Sequence, residues 1–418
     1  MKRVVIIGMG FGGIRAAANL AGKGLDVLVL DRRNFHLFQP LLYQVSTATL
    51  NQEDIAYPIR ALVRRWRGVR FEMAEVQSID LEGLRVMTDV GDFPYDYLIV
   101  AAGSVSNFFG MESISRQAYD LKQLADAVAL RNQILLSYER ADDAPDDATR
   151  SAFMTFVIVG GGPTGVEFAG ALAELVRNVF PDDYPGLRVE QTRIILIEAG
   201  DRLLAPFPES CRNYAMQRLQ SMGVEVRLNT VVSGAEPDCV LLKDGSKIPA
   251  HTLFWAAGVR AAPLADAIAV PKARGGRIPV ESDLSLKDHP EVFVIGDMAY
   301  LEQDGQPLPM MAPVAMQGGE HAAKMILRRE RGQATQPFRY LDKGSMAVIG
   351  RYAAVAQTSR FAFKGFVAWL AWLGLHLFYL IGFRNRIATM INWAYDYLFF
   401  NRQVRLITRA KGQQGKTV

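Results

Sequence analysis

The sequence predicts an α/β fold built from two similar halves and followed by an apolar helical C-terminus. Three observations predict it. A short apolar strand runs into a G-x-G-x-x-G turn and then a helix at the very start, with glycines at Gly8, Gly10 and Gly13. The same device returns in Phe156–Ala169 (FVIVGGGPTGVEFA), with Gly160, Gly162 and Gly165. Near the end, Gly365–Phe383 is an uncharged run of 19 residues. Each glycine of such a turn has a mechanical reason. The first makes the turn, the second lets backbone approach a pyrophosphate, and the third lets helix pack on strand. The helix N-terminus beyond offers free N–H groups and partial positive charge. Two such units mean two Rossmann-like dinucleotide-binding domains.

Composition sets the bounds. A chain of 418 residues suggests two or three domains. Half the residues are apolar, ample for a core, and a net charge of +4 is too small to argue for nucleic acid. The two cysteines, Cys211 and Cys239, are spaced neither as metal ligands nor as a C-x-x-C pair. They read as buried free thiols in a reducing cytosol. Met1-Lys2-Arg3 leads straight into the first strand, so no signal peptide is expected.

In chain order, Arg3–Ile7 is a buried strand, Ile14–Ala21 a helix and Asp26–Leu30 a second strand. Asp31 ends that strand, where an acid meets a ribose hydroxyl. Arg32–Leu50 has no clean period and is broken by Pro40. A loop and helix against a flat ring, or ordinary core, both fit it. His36 alone earns no catalytic role. Val69–Met87 and Phe93–Val100 read as short strands with turns between. Asp96–Val100 ends on Ala101-Ala102-Gly103, small residues that let backbone approach a cofactor. Asp120–Arg140 is helical by period. Ala141–Arg150, acidic and proline-containing, reads as a solvent loop at a domain boundary.

The second half repeats the first. After its fingerprint come the strand Arg193–Ile197 and an acid, Glu198. Glu209–Met222 is a helix, Val224–Leu228 a strand, and Val240–Ile248 a hairpin about Asp244-Gly245. Thr252–Trp255 then ends on Ala256-Ala257-Gly258. The order "fingerprint, acid, hairpins, strand, Ala-Ala-Gly" thus occurs twice, which calls for two dinucleotides. Later, the strand Glu291–Ile295 ends on Gly296-Asp297, placed to hydrogen-bond a polyol such as a ribityl chain. A helix starting near Pro313 would aim its N-terminus at a flavin ring edge.

Over residues 1–330 these features resemble the two-dinucleotide-binding-domain flavoproteins, a glutathione-reductase-like architecture. Within that group the chain resembles the type II NADH:quinone oxidoreductases, single-subunit respiratory dehydrogenases that do not pump protons. Three stretches carry the closer resemblance: Phe38–Ala48 (FQPLLYQVSTA), Gly162–Ala169 (GPTGVEFA) and Ala312–Gly318 (APVAMQG). The resemblance implies that FAD is held by Gly8, Gly10, Gly12, Gly13, Asp31, Arg32, Gln39, Pro40, Leu41, Ala102, Gly103, Gly296, Asp297 and Ala315. It places NADH on Gly160, Gly162, Pro163, Thr164, Gly165, Glu198, Ala257 and Gly258. It implies an FAD domain over 1–115 and 275–335, an NADH domain over 116–274, and a quinone-access and membrane-anchoring region over 336–418. Two residues take catalytic roles by the same resemblance, Glu167 and Gln317. Read from its position alone, Glu167 is equally a carboxylate held by the helix dipole. In one departure, Pro313 stands where many members have a first Gln, while Gln317 keeps the second. The charge of Glu198 favours NADH over NADPH, with Arg202 close enough in sequence to oppose it. No metal is expected. Disulfide reductases and sulfide:quinone reductases of this group need flavin-side cysteines, which Cys211 and Cys239 do not supply.

The C-terminus suits a bilayer. Ile387–Phe400 follows Gly365–Phe383 as a second apolar segment. Trp369, Trp372, Trp393, Tyr379, Tyr395 and Tyr397 suit its interface. Arg384, Arg386, Arg402, Arg405, Arg409, Lys411 and Lys416 stand against a single acid, Asp396. A span, an interfacial foot and a buried hairpin in a homodimer all fit. One span would carry the basic tail outside, against the positive-inside rule. Interfacial anchoring on the cytoplasmic face of the inner (plasma) membrane is therefore expected, with a quinone as electron acceptor. Gly344–Gln357 is expected to be small strands covering the quinone entrance. A reductase of a soluble carrier such as ferredoxin or rubredoxin, and an FAD- and NADH-binding membrane sensor without turnover, are the alternatives.

Overall fold

The computed structural model describes residues 1–358, 360–399, 402 and 404–408. They fall into two compact units, the first made of residues 1–37, 56–105 and 259–343, the second of 38–55, 106–258 and 344 onward. By contact the chain from 344 groups with the second unit. Residues 38–55 belong to that unit too.

The first unit is a five-stranded parallel sheet. Its order is Val292–Val294, Tyr97–Val100, Arg3–Ile7, Asp26–Asp31 and Val69–Met73. The inner strands are buried on both faces and read as continuous apolar runs, while the edge strand Val69–Met73 alternates. Alternate residues go to opposite sides. Val4 and Ile6 pack with Ala16, Ala17 and Leu20 of the helix Phe11–Leu20 and with Ala322 and Ala323 of the helix Ala312–Glu330. Val5 and Ile7 pack with Ile79 and Val86 of the antiparallel strands Val76–Asp80 and Arg85–Thr88. The two helices cross closely: a side chain at Gly319 would begin 2.2 Å from the Gly12 carbonyl.

The second unit repeats the plan. A four-stranded parallel sheet runs in the order Val224–Arg227, Arg193–Ile197, Thr155–Val159 and Thr252–Trp255. The hairpin about Asp244-Gly245 forms as expected, within the antiparallel strands Val232–Glu236, Cys239–Leu242 and Lys247–Pro249. Cys211 and Cys239 are free and buried. The expected loop over 141–150 is mostly helix. Leu124–Asp142 takes in its first two residues, and Asp147–Phe153 begins again after Asp146, whose carboxylate accepts from the Thr149 N–H at 2.8 Å. The acidic cluster that reads as solvent loop is partly N-cap chemistry.

The C-terminal strands Ser345–Gly350, Ala353–Gln357 and Ala362–Gly365 form an antiparallel sheet against the helix Pro163–Asn178. At that contact a Cβ on Gly170 would lie 1.7 Å from the Ile349 carbonyl oxygen. Gly170→Val should therefore prise strand from helix and cost about 3 kcal/mol of stability. A thermal melt of the variant, with Tm lowered by several degrees, checks it.

The long apolar run is interrupted. Its helix covers only Phe366–Tyr379, and the next covers Phe383–Phe399. Among the described residues no helix is long and apolar enough to cross a membrane. Arg386 ends the first helix by donating to the Leu380 and Phe378 carbonyls at 2.7 and 2.9 Å. Some of the aromatic and basic residues expected at a lipid interface are spent inside the unit, while Arg384 and Arg386 stay exposed. Trp369, Trp372 and Trp393 are buried, and the Trp393 indole donates to Gln44 Oε1 at 2.7 Å. Arg402 is buried, and Arg405 pairs with Asp183 at 2.7 Å. Arg409, Lys411, Lys416 and Phe400 lie outside the described residues. The surface that remains apolar is made of other side chains, among them Phe366, Val367, Phe378, Phe383, Leu398 and Phe399.

Candidate active site

The two glycine turns match atom for atom. In the first unit Gly8 donates to the Leu30 carbonyl at 2.8 Å, and in the second Gly160 donates to the Ile197 carbonyl at 2.8 Å. A side chain at Gly8 would strike the Ala101 carbonyl, and one at Gly160 would strike Ala256. A Cβ on Gly13 would lie 1.8 Å from the Gly8 oxygen, and one on Gly165 lies 1.9 Å from the Gly160 oxygen. Above Gly10 and Gly162 there is nothing within 4 Å. Each turn is thus closed where strand and helix meet it and open at its middle glycine. That is the shape a pyrophosphate requires, so the residues present fit a dinucleotide in each unit. Pro163 and Thr164 are exposed at the start of the second helix.

The two acids are also equivalent, in a way sequence reading missed. Asp31 Oδ2 accepts from Met9 N–H at 2.7 Å and Oδ1 from Arg33 N–H at 2.9 Å. Glu198 Oε2 accepts from Gly161 N–H at 2.6 Å and Oε1 from Gly200 N–H at 2.7 Å. Each carboxylate therefore braces the residue between the first two fingerprint glycines and keeps lone pairs spare for a ribose. The extra methylene of Glu198 has the same reach because Gly161 carries no side chain to hold it off. Arg202 makes a two-point pair with Asp201, so its charge is spoken for away from Glu198.

Elsewhere in the first unit, Ala102 and Gly103 follow the strand Tyr97–Val100, and Gly103 has φ of +75°. Gly296 sits at φ +64° against Ala315, and Asp297 Oδ2 accepts from Ser104 at 2.6 Å. Arg32 is exposed beside Glu75. Gln317 is committed. Its amide N–H donates to the Leu341 carbonyl and its oxygen accepts from Leu341 N–H, each at 2.9 Å. One amide proton and one lone pair remain, so it braces the chain around Leu341 before it can serve a substrate. Gln39, Pro40 and Leu41 form a 3₁₀ turn in the second unit, with Gln39 donating to the Lys122 carbonyl at 3.0 Å. Ala257 and Gly258 follow the strand Thr252–Trp255 there, Gly258 at φ +134°.

Glu167 lies on the helix Pro163–Asn178 and faces a cavity of about 370 Å³ within the second unit. Its carboxyl accepts from the Val348 N–H at 3.3 Å. Burial pushes the group up to about 8, against the opposing pull of the Val348 N–H and the Trp372 indole. It is therefore mostly protonated at neutral pH, and a helix-dipole carboxylate does not describe it. Glu174, Asp396, Arg351 and Arg402 line the same space. None of these four was singled out from the sequence as a site residue. Two signals were there: Glu174 follows Glu167 by seven residues on one helical face, and Asp396 is the lone acid of an apolar segment.

Known proteins align with this geometry. The pyridine nucleotide-disulphide oxidoreductase family matches residues 2–319, and the NDH2 C-terminal domain family matches residues 343–403. The chain belongs to the type II NADH:quinone oxidoreductases. The deciding relative is the type II NADH:quinone oxidoreductase NdhA of Mycobacterium tuberculosis, 40% identical over 99% of this chain and 89% of its own. The type II NADH:quinone oxidoreductase of Staphylococcus haemolyticus is 31% identical over 85% and 89%. In fold, the chain is similar to NDH2 of Plasmodium falciparum solved with NADH, with a TM-score of 0.89 at 19% identity over 98% of this chain and all of that one. Membership of this family agrees with the duplicated loops and leaves a soluble-carrier reductase as the less favoured reading.

Proposed function

We propose that this type II NADH:quinone oxidoreductase holds FAD on the first glycine turn and NADH on the second, and reduces a quinone at a membrane surface. The observation that carries the reading is the duplicated, acid-braced turn, which provides for two dinucleotides in one chain. The balanced reaction is NADH + H⁺ + quinone → NAD⁺ + quinol. Bound FAD would supply the two-electron redox chemistry that links the nicotinamide to the quinone. The protein supplies the rest. Gly8, Gly10, Gly12, Gly13 and Asp31 bind the first dinucleotide, and Ala102, Gly103, Gly296, Asp297 and Ala315 support it. Gly160, Gly162, Gly165 and the N-terminus Pro163-Thr164 take the pyrophosphate of NADH. Glu198 accepts from the adenosine ribose, and its charge repels a 2′-phosphate, with Arg202 held by Asp201. Glu167 holds a proton near neutral pH and gives it toward the quinone.

Contact with the bilayer comes through the exposed Phe366, Val367, Phe378, Phe383, Leu398 and Phe399, which form an interfacial foot without a span. The quinone-reductase reading is tested by NADH oxidation on purified, FAD-replete protein with and without a soluble quinone analogue, with NADPH as control. Quinone should stimulate oxidation at least tenfold, and NADPH should be a poor donor. Oxidation without quinone stimulation would favour a reductase of a protein carrier, and no oxidation would favour a sensor.

A further inference from the structure

The cavity beside Glu167 has a direction. Glu167, Ala171, Glu174 and Asn178 all line it, spaced by four, three and four residues along one face of the helix Pro163–Asn178. At ~1.5 Å per residue, Glu167 and Asn178 lie ~16 Å apart along the axis. At the Asn178 end the rim carries exposed residues, Arg177, Asn178 and Ser221. At the other end sits the Glu167 carboxyl. A volume of about 370 Å³ lined by polar groups has room for several waters.

The groups along it divide into fixed and movable charges. Glu174 is fixed: it accepts from the Arg351 N–H and pairs with the Arg402 guanidinium at 3.2 Å. Arg402 is itself held by the Thr47 and Ala171 carbonyls at 2.9 Å. Asp396, on the helix Phe383–Phe399, is not held in this way. Among the described residues no donor reaches its buried Oδ2. The charged groups facing it are Arg402, Glu174 and Arg351, and Tyr397 adjoins it. Tyr43 on the short helix Leu42–Ser46 and Arg218 on the helix Glu209–Ser221 line the remaining wall. Burial outweighs the two arginines and pushes Asp396 up to about 7.

We propose that this cavity is the proton inlet of the enzyme, and that Asp396 takes up a proton from solvent and passes it over cavity water to Glu167. This rests on the quinone-reductase reading, in which two electrons and one hydrogen come from NADH and the second proton comes from solvent. Asp396 loses a proton to the water chain and regains one from bulk, so it is unchanged over a turnover. It acts through Glu167 and is a positioning and relay residue rather than a catalytic one.

The test uses the full-length, FAD-replete protein with Asp396→Asn and Asp396→Glu. One readout is independent of turnover. The infrared C=O band of protonated Glu167, assigned by its loss in Glu167→Gln, is followed after mixing into D₂O. Its shift should be at least tenfold slower in Asp396→Asn and restored in Asp396→Glu. The second readout is the ratio of quinone to ferricyanide reduction, since ferricyanide takes electrons without protons. That ratio should fall about tenfold in Asp396→Asn and should recover in Asp396→Glu, while the decline through about pH 8 that Glu167 sets stays in both. Unchanged exchange and an unchanged ratio in Asp396→Asn overturn the inlet. A wild type that reduces ferricyanide but not quinone overturns the functional reading instead, and the infrared exchange still decides the inlet.

Discussion

Glu167→Gln should lower quinone-dependent turnover about 10²-fold while leaving NADH affinity within about threefold, because general acid catalysis contributes on that scale and the loop glycines, not Glu167, hold the dinucleotide. Wild-type turnover should decline as pH rises through about 8, where the carboxyl loses its proton, and the variant should be flat there. Stability carries the same signature. The folded-state value is raised above the ordinary 4.5 to about 8, so the folded protein binds this proton more tightly than the unfolded chain. Wild type therefore loses stability as pH rises between those values, and the loss is complete above about 8. Glu167→Gln removes that slope, so its Tm should exceed wild type by ~2–5 °C at pH 9 and by little at pH 5. Steady-state kinetics and melts across pH 5 to 9 check both. Normal turnover at pH 7 in the variant would remove Glu167 from the proton path.

Phe378→Glu with Phe383→Glu should move the protein from membranes to solution. Both side chains stand well out of the second unit, 69% and 81% exposed. Each would give up about 2 kcal/mol of apolar burial at an interface, so partition onto anionic vesicles should fall 10²- to 10³-fold. Tm should stay within about 1 °C, since neither residue packs in the core. Vesicle sedimentation and a melt measure the two effects. Deletion of the chain after 360 is not an equivalent experiment. It would remove buried Trp369, Trp372 and Trp393 and the Asn385 side chain, which donates to the Glu53 and Asp54 carbonyls at 3.0 Å. Should the double variant bind vesicles normally and instead change from dimer to monomer, the face belongs to a second copy of the chain.

The C-terminus shows where sequence reading reaches its limit. Composition gave two apolar segments with aromatic and basic residues, and lipid was the natural partner for all of them. Tertiary packing divides them by position. The three tryptophans and Arg402 face inward, with Trp393 bonded to Gln44 and Arg402 to Thr47 and to Ala171 of the helix Pro163–Asn178, and a different set of apolar side chains faces outward. In Phe366–Tyr379 helical period could not separate the two sets, because that helix is apolar nearly all round. Gln317 is a similar case. Its place in the motif was legible, but its engagement with Leu341, 24 residues away, was not.

The sequence by itself determined the two Rossmann-like halves, their glycine turns and their terminal acids. Those features rest on local requirements: a strand period, a tight turn, and a small residue where backbones nearly touch. The tertiary structure alone decided what the carboxyls do. Asp31 and Glu198 became braces because chain separated by 22 and 37 residues returns to them. Glu167 and Asp396 line one cavity because a helix and a C-terminal segment more than two hundred residues apart enclose it, and burial there, which no local pattern encodes, raises both carboxyls.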